Sequence, residues 1–359
     1  MSEIRQIITE SIERLLADQV THELLLAAED GKFPDALWRM IEESGFTRVL
    51  VPDSMGGSGG GWPDAYPVLR AVGYYRVPAP LAETVVGNDL LARAGMPITD
   101  GPLCLIEQEA DLRIERRDHR ILVTGRVHAA PWARASRWLV IAGKIEAHDV
   151  LLRVSSTADG MTILPGANLA KEHRDDVVLS DVLAEDCAFV DARLMSNPVR
   201  SHGALTRAIG IVGALESILA QSVEYAKERV QFGRPIAKFQ AIQHMLALLA
   251  CEVTAASTAA QAACNAMAKP DPGFEIAVAK VRAGRAAGVG ALIAHQIHGA
   301  MGLTYEHTLH FGTRRLWSWR SEFGNESTWA IALGAQAIRR GGGQFWSDLT
   351  ARTAVGPLS

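Results

Sequence analysis

The sequence predicts three consecutive regions: helical over residues 1–100, β-rich over 101–195 and helical again over 196–359. Three observations carry this. Apolar residues recur at helical spacing near both ends of the chain. Between about Leu103 and Val190 short runs rich in β-branched residues replace that period, bounded by glycine or polar residues. Glycine and proline clusters, such as Gly56–Gly61 and Pro270–Gly273, punctuate the pattern.

In chain order, Ile8, Ile12, Leu15 and Leu16 form one helical stripe and Leu37, Trp38, Met40 and Ile41 a shorter one. The Gly56–Gly61 run is read as a connector with a structural role and no chemistry. Leu103–Ala110, Ile121–Val127, Trp138–Ala142, Val150–Val154, Met161–Leu164, Val177–Leu179 and Cys187–Val190 read as strands. Their spacing, without helical periods between them, suggests a small barrel or sandwich. A long stripe follows: Ala208, Ile211, Val212, Leu215, Ile218, Leu219, Val223 and Ala226. Gly233 and Pro235 are expected to stop that helix, with Pro235 in the first turn of the next. Ile236, Phe239, Ile242, Met245, Leu246 and Leu249 carry the second stripe, and Phe274, Ala277, Val281 and Ala287 the third. The C-terminal region thus reads as four long helices and a short tail.

Hydrophobic content of 48% is ample for a core, and a net charge of −4 gives no reason to invoke nucleic acid or a membrane surface. Cys104, Cys187, Cys251 and Cys264 have no metal-ligand spacing and read as reduced thiols of a cytoplasmic protein. Met1–Arg5 lacks a signal-peptide apolar core. Leu246–Ala268 is apolar but interrupted by Glu252, Thr254, Ser257, Thr258 and Gln261, so a bundle helix is expected there and no membrane span. His295, His298, His307 and His310 match no metal motif, so no metal is expected.

Three blocks carry a resemblance. Arg229-Val230-Gln231-Phe232-Gly233-Arg234-Pro235-Ile236-Ala237-Lys238-Phe239-Gln240 has the form R-x-x-F-G-x-x-I-x-x-x-Q. Gln296-Ile297-His298-Gly299-Ala300-Met301-Gly302 is similar to Q-x-x-G-G-x-G, and Val51-Pro52-Asp53-Ser54-Met55-Gly56-Gly57-Ser58-Gly59 to v-P-e-x-x-G-G-x-G. Together, in this order, they resemble the acyl-CoA dehydrogenase family. The resemblance implies an N-terminal α-helical domain, a middle β-barrel and a C-terminal four-helix bundle, with FAD held between subunits. It places Arg229 at the cofactor's diphosphate, where a planar guanidinium suits phosphate oxygens. Gln231 belongs to the same cofactor-binding turn, and Phe232 and Gln240 meet the adenosine end. Gln296, Gly299 and Ala300 approach a neighbouring subunit's FAD, small residues letting the main chain come close. Read without the motifs, Arg229 is a cation at a helix C-terminus and Phe232 a core residue.

Departures from the family pattern matter as much. The T-E-P-x-x-G-S-D motif has its counterpart in Leu103–Ala110, without Gly-Ser-Asp. The W-I-T motif is replaced by Pro131-Trp132-Ala133-Arg134, leaving Trp132 as the aromatic expected beside the flavin. The usual catalytic glutamate position holds Phe323, before Gly324, and no acid lies near Gly203 or Ala204, where other members place it. Glu322, one residue early, is the candidate base; burial is expected to raise its pKa, and the alternative is a surface carboxylate paired with Arg315 or Arg320. Arg314–Arg320 reads either as a nucleotide-binding run or as an amphipathic helix burying Leu316 and Trp319. The resemblance implies α,β-dehydrogenation of an acyl-CoA to the trans-2-enoyl-CoA, with electrons passing to an electron-transfer flavoprotein, in a dimer or tetramer. Two alternatives stay open: a non-catalytic or half-site subunit of a hetero-oligomeric acyl-CoA dehydrogenase, and a flavin oxidase or monooxygenase of the same superfamily.

Overall fold

The computed structural model describes residues 3–190 and 197–353; the domain boundary expected at 195/196 lies outside the described residues. The N-terminal helices are α1 (Glu3–Gln19), α2 (His22–Glu29), α3 (Asp35–Glu43), α4 (Trp62–Tyr75) and α5 (Leu81–Arg93). Ile12, Leu16, Leu37, Trp38 and Ile41 from the expected stripes are buried, and Met40 faces outward. Between α3 and α4 the glycine-rich loop doubles back on itself. Gly59 and Gly60 donate backbone hydrogen bonds to the Val51 and Val49 carbonyls at 2.9 and 3.0 Å. A Cβ on Gly57 would stand 2.1 Å from the Val51 carbonyl oxygen, so this is a tightly folded turn that only glycine permits.

The middle domain contains β1 (Leu103–Glu107), β2 (Leu112–Arg117), β3 (Arg120–Pro131), β4 (Trp138–Ile145), β5 (His148–Ser155), β6 (Met161–Leu164), β7 (Arg174–Leu183) and β8 (Asp186–Phe189). They form two four-stranded sheets, ordered β1-β4-β5-β8 and β2-β3-β7-β6, with β1 parallel to β4. Cys104, Ile106, Leu139, Ile141 and Leu152 from the first sheet share one core with Val123, Val127, Val177 and Leu179 from the second. The alternate residues Leu103, Leu105, Val140, Ala142 and Leu151 face the other way, into the core of the helical domains. The β1-β4-β5 sheet is therefore covered on both faces, which is why its strands are continuously apolar in sequence.

The C-terminal bundle packs α6 (Pro198–Glu228), α7 (Gln240–Ala266), α8 (Gly273–His298) and α9 (Leu309–Ser321); α10 (Glu326–Arg340) lies on α8 and α11 (Phe345–Thr353) follows. Among the described residues of this region only α6, α7 and α8 are long, and a 3₁₀ turn at Gly299–Leu303 separates α8 from the shorter α9. The α6–α7 connection corrects the sequence reading. Helix α6 ends at Glu228, before Gly233, and a two-stranded hairpin follows: β9 (Val230–Gln231) against β10 (Arg234–Pro235). Phe232 and Gly233 at its tip have φ of +51° and +76°, the paired positive values of a tight hairpin turn. Pro235 closes that hairpin in extended conformation and does not enter α7. By length and composition α6 and α7 could each cross a membrane; α6 is 83% buried over its most apolar stretch, whereas α7 is only 22% buried.

Candidate functional site

A cleft of about 850 Å³ opens between the two-sheet middle domain and the bundle, where the ends of β1 and β3 meet the C-terminal end of α9. Glu107, Gln108, Ala129, Arg174, Glu322 and Phe323 are on its wall. At its base the structure assembles an ion network that the sequence did not announce. Two Arg174 nitrogens lie 2.9 and 2.8 Å from the Glu322 carboxylate, and Arg207 Nε lies 2.6 Å from it. Asn168 adds a bond at 3.0 Å. Arg207 also reaches Glu83 of α5 at 2.5 Å, while Glu172 accepts from Arg174, from Arg315 at 3.1 Å and from the Trp319 indole at 2.8 Å. The network joins all three domains, and the side chains of Glu83, Glu172, Arg174, Arg207 and Arg315 are buried.

Burial alone would push the Glu322 carboxyl up, as the sequence reading expected. The charges and hydrogen bonds of Arg174 and Arg207 outweigh it and hold the group down to about 2. Glu322 thus stands on the cleft wall as a fully engaged counter-ion, and a carboxylate held so low is a poor proton acceptor near pH 7. Its partners are Arg174 and Arg207, whereas Arg315 and Arg320 pair with Glu172 and Glu326. Phe323, at φ +54°, turns its ring onto α6: a Cβ added at Gly203 would lie 2.5 Å from it. The two positions where the family pattern would put a carboxylate are therefore occupied by one packed pair, a phenyl ring and a glycine.

Glu107 went unremarked in sequence. It ends β1, lines the cleft and accepts the backbone N–H of Arg200 at the start of α6, at 2.9 Å. Burial pushes its carboxyl up to about 7, against the opposing effect of the backbone N–H groups. The available signal was a carboxylate closing a strand buried on both faces.

Trp132 is not on the cleft. Its ring is buried against His173 at 4.9 Å, beside Phe33 and Arg315 at the junction with the N-terminal domain. It occupies a left-handed turn at φ +61° beyond β3, which aims the ring away from the strand's cleft-lining residues 127–131. The α9 run follows the amphipathic reading, with Leu316 and Trp319 buried and Arg314, Arg315 and Arg320 ion-paired.

The remaining motif residues gather elsewhere. Arg229, Gln231, Phe232 and Gln240 are exposed on the hairpin and the first turn of α7, Phe232 to 93%. Gln296, Gly299 and Ala300 are exposed at the end of α8, and Gly299 has φ +57° with open space where a Cβ would be. The Tyr225 hydroxyl donates to the His298 carbonyl at 3.3 Å, which places both segments at the C-terminal end of α6. Arg207, which pairs with the cleft-lining Glu322, lies 21 residues from Glu228 on that helix, or about 32 Å at 1.5 Å per residue. An exposed guanidinium, an exposed phenyl ring and a glycine with open space fit a dinucleotide presented from outside the chain.

The N-terminal domain of the acyl-CoA dehydrogenases matches residues 2–97 and their C-terminal domain residues 199–325. This chain belongs to the acyl-CoA dehydrogenase family. FAD is the cofactor that this membership carries, and the family is one of flavoprotein oxidoreductases. Among its relatives is the acyl-CoA dehydrogenase IpdE2 of Mycobacterium tuberculosis, 29% identical over 316 residues, covering 87% of this chain and 91% of the relative. The fold is shared with the ChsE4–ChsE5 complex of M. tuberculosis, with a TM-score of 0.83 at 21% identity over 94% of this chain and 97% of that one. Butyryl-CoA dehydrogenase from Megasphaera elsdenii superposes with a TM-score of 0.84 at 17% identity, covering 94% and 98%.

Proposed function

We propose that the chain is a half-site subunit of an FAD-dependent acyl-CoA dehydrogenase, lending cofactor-binding residues to a partner of the same family that supplies the catalytic base. The observation that carries this reading is Glu322: the one carboxylate beside the family's catalytic position is spent on Arg174 and Arg207. The chemistry FAD would supply there is hydride acceptance in α,β-dehydrogenation of an acyl-CoA to the trans-2-enoyl-CoA, the α-proton going to the partner's base and the electrons finally to an electron-transfer flavoprotein. Arg229, Gln231, Phe232 and Gln240 would hold the partner's cofactor from the hairpin, and Gln296, Gly299 and Ala300 from the end of α8. The exposed face of α7 and the exposed Leu292 on α8 suit burial against another subunit. The ChsE4–ChsE5 relative is itself a complex of two differently named chains, which supports an assembly of unlike subunits. Cysteine usage alone supports the cytoplasm as its location.

A second reading, a homo-oligomer acting in its own clefts, draws on Glu322 and Glu107 both lining a cleft of about 850 Å³. Expression alone and together with a second acyl-CoA dehydrogenase-like chain separates the two. The half-site reading expects the chain alone to lack stoichiometric flavin absorbance and to leave acyl-CoA thioesters unchanged, with both properties arising in the co-purified pair. Stoichiometric FAD and enoyl-CoA formation by the chain alone would overturn it.

A further inference from the structure

The two cofactor-contacting segments are far apart in sequence, and nothing in the family motifs states what keeps them in register. The structure shows a three-ring contact at their common root. Tyr225, in the last turn of α6, stacks on His298, the last residue of α8, at 4.5 Å between centroids and 25° between planes. His307, in the loop before α9, stands edge-on to both, 4.7 Å from His298 and 6.1 Å from Tyr225. Four residues after Tyr225 the hairpin begins at Arg229, and one residue after His298 the 3₁₀ turn begins at Gly299. A bond from Thr308 to Gln221 at 2.9 Å ties the same loop to α6.

The hydrogen bonds assign each imidazole one proton. His298 Nδ1 donates to the Ala294 carbonyl at 2.8 Å, leaving Nε2 as a bare acceptor, buried and without a partner among the described residues. His307 Nδ1 accepts from the Leu309 N–H at 3.1 Å, so its proton is on Nε2. A second proton on His298 would be buried without an acceptor, and a second proton on His307 would break the Leu309 bond. The groups acting on His298 are His307 from the loop and His295 from its own helix, cationic when protonated, with Tyr225 against its face. Burial, reinforced by those imidazoles against the favourable Ala294 carbonyl, pushes His298 down to about 4; burial lowers His307 too.

We propose that Tyr225, His298 and His307 are positioning residues: a clasp that holds the 229–240 hairpin and the 299–303 turn in one register and releases both when His298 becomes doubly protonated. The assignment of those segments to FAD rests on the function proposed above; the clasp itself does not. Its sign follows from the buried neutral imidazole. The clasp is fully present above the ordinary imidazole value of 6.5 and is lost as pH falls toward about 4. Opening is then favoured about ten-fold at about pH 5.5 relative to about pH 7.5.

Hydrogen–deuterium exchange on the full-length chain, corrected for intrinsic rates, reads this directly. In wild type, amides of 229–240 and 299–303 lose protection together, about ten-fold, over that pH step. His298→Phe keeps a stacked ring without a titrating group, so both segments stay protected at the lower pH. Tyr225→Leu exposes both segments already at neutral pH, and this variant tests the clasp should His298→Phe not fold. Segments that respond independently, or a His298→Phe variant with the wild-type pH dependence, would overturn the clasp. FAD titration of the same variants co-purified with a second acyl-CoA dehydrogenase-like chain distinguishes the two ideas: coupled release with FAD affinity unmoved refutes the cofactor assignment and leaves the clasp standing.

Discussion

Glu322→Gln separates a structural counter-ion from a catalytic base. The substitution keeps the shape and removes the charge that faces Arg174 and Arg207. The carboxyl is held at about 2 against an ordinary 4.5. A shift of that size corresponds to about 3 kcal/mol of native-state stabilisation at neutral pH. Removing one partner of a buried ion pair costs about 3–5 kcal/mol, and the lower end applies because Glu83 and Glu172 still face the two arginines. For a chain of 359 residues unfolding as one unit, the entropy of unfolding is about 0.75 kcal/mol per degree, so 3 kcal/mol lowers the melting temperature by about 4 °C. The sign with pH also follows. A depressed carboxyl contributes fully above 4.5 and loses that contribution as pH falls through 2, so the deficit of the variant should shrink on acidification. Calorimetry across pH, with flavin content measured alongside, is the assay. A variant that melts with wild type while turnover falls roughly 10²–10⁴-fold would restore Glu322 as the base and refute the ion-pair account.

Glu107→Gln should do the reverse with pH. A carboxyl raised to about 7 stabilises fully below 4.5 and loses that contribution as pH rises through 7, so the variant should gain on wild type above neutrality by up to about 3 kcal/mol in chemical denaturation. Gly203→Ala should cost about 1–3 kcal/mol through its clash with the Phe323 ring, and Phe323→Ala in the same chain should recover part of that loss. Arg229→Ala should lower the FAD content of the assembled protein and leave melting unchanged, because an exposed cation contributes little to folding; unchanged flavin content would remove Arg229 from the cofactor site.

The helical ends and the β-rich middle were legible because each buried face writes its own period. Ile12, Leu16, Leu37 and Ile41 are buried as their spacing predicts. The α6–α7 connection was misread because Gly233 and Pro235 serve equally well as helix stops and as hairpin residues. What decided it was the φ of Phe232, a bulky residue whose left-handed backbone no local pattern predicts. The family motif at 229–240 was legible as a motif, while its distance from the cleft depended on α6 running unbroken for 31 residues. The ion network was illegible because Glu83, Glu172, Arg207 and Glu322 are long-range partners, and sequence spacing carries no trace of such pairings.

The displacement of one residue at Glu322 has a physical origin at the end of α9. Lys280 is fully buried between α8 and α9, and its ammonium donates to the carbonyls of Trp319 and Arg320 at 3.1 and 2.8 Å. Those carbonyls belong to the last turn, where an ammonium satisfies groups that have no helical donor. The helix stops at Ser321, Glu322 is extended, and Phe323 turns left-handed. The side chains at 322 and 323 are therefore not related by the 100° step of a helix. One goes to the arginines of β7 and α6, the other to the glycine of α6. Freeing the Glu322 carboxylate for chemistry would require breaking three charge-assisted bonds, and placing an acid at 323 would displace the half-buried Phe323 ring from Gly203. Phe323→Glu removes the ring but breaks none of those bonds, so it alone should not create a base: its carboxylate would start from the position that packs on Gly203 while Glu322 still neutralised the arginines. A chain arranged in this way has its acid committed to structure, which is the expectation of the half-site proposal, in which a partner subunit supplies the base.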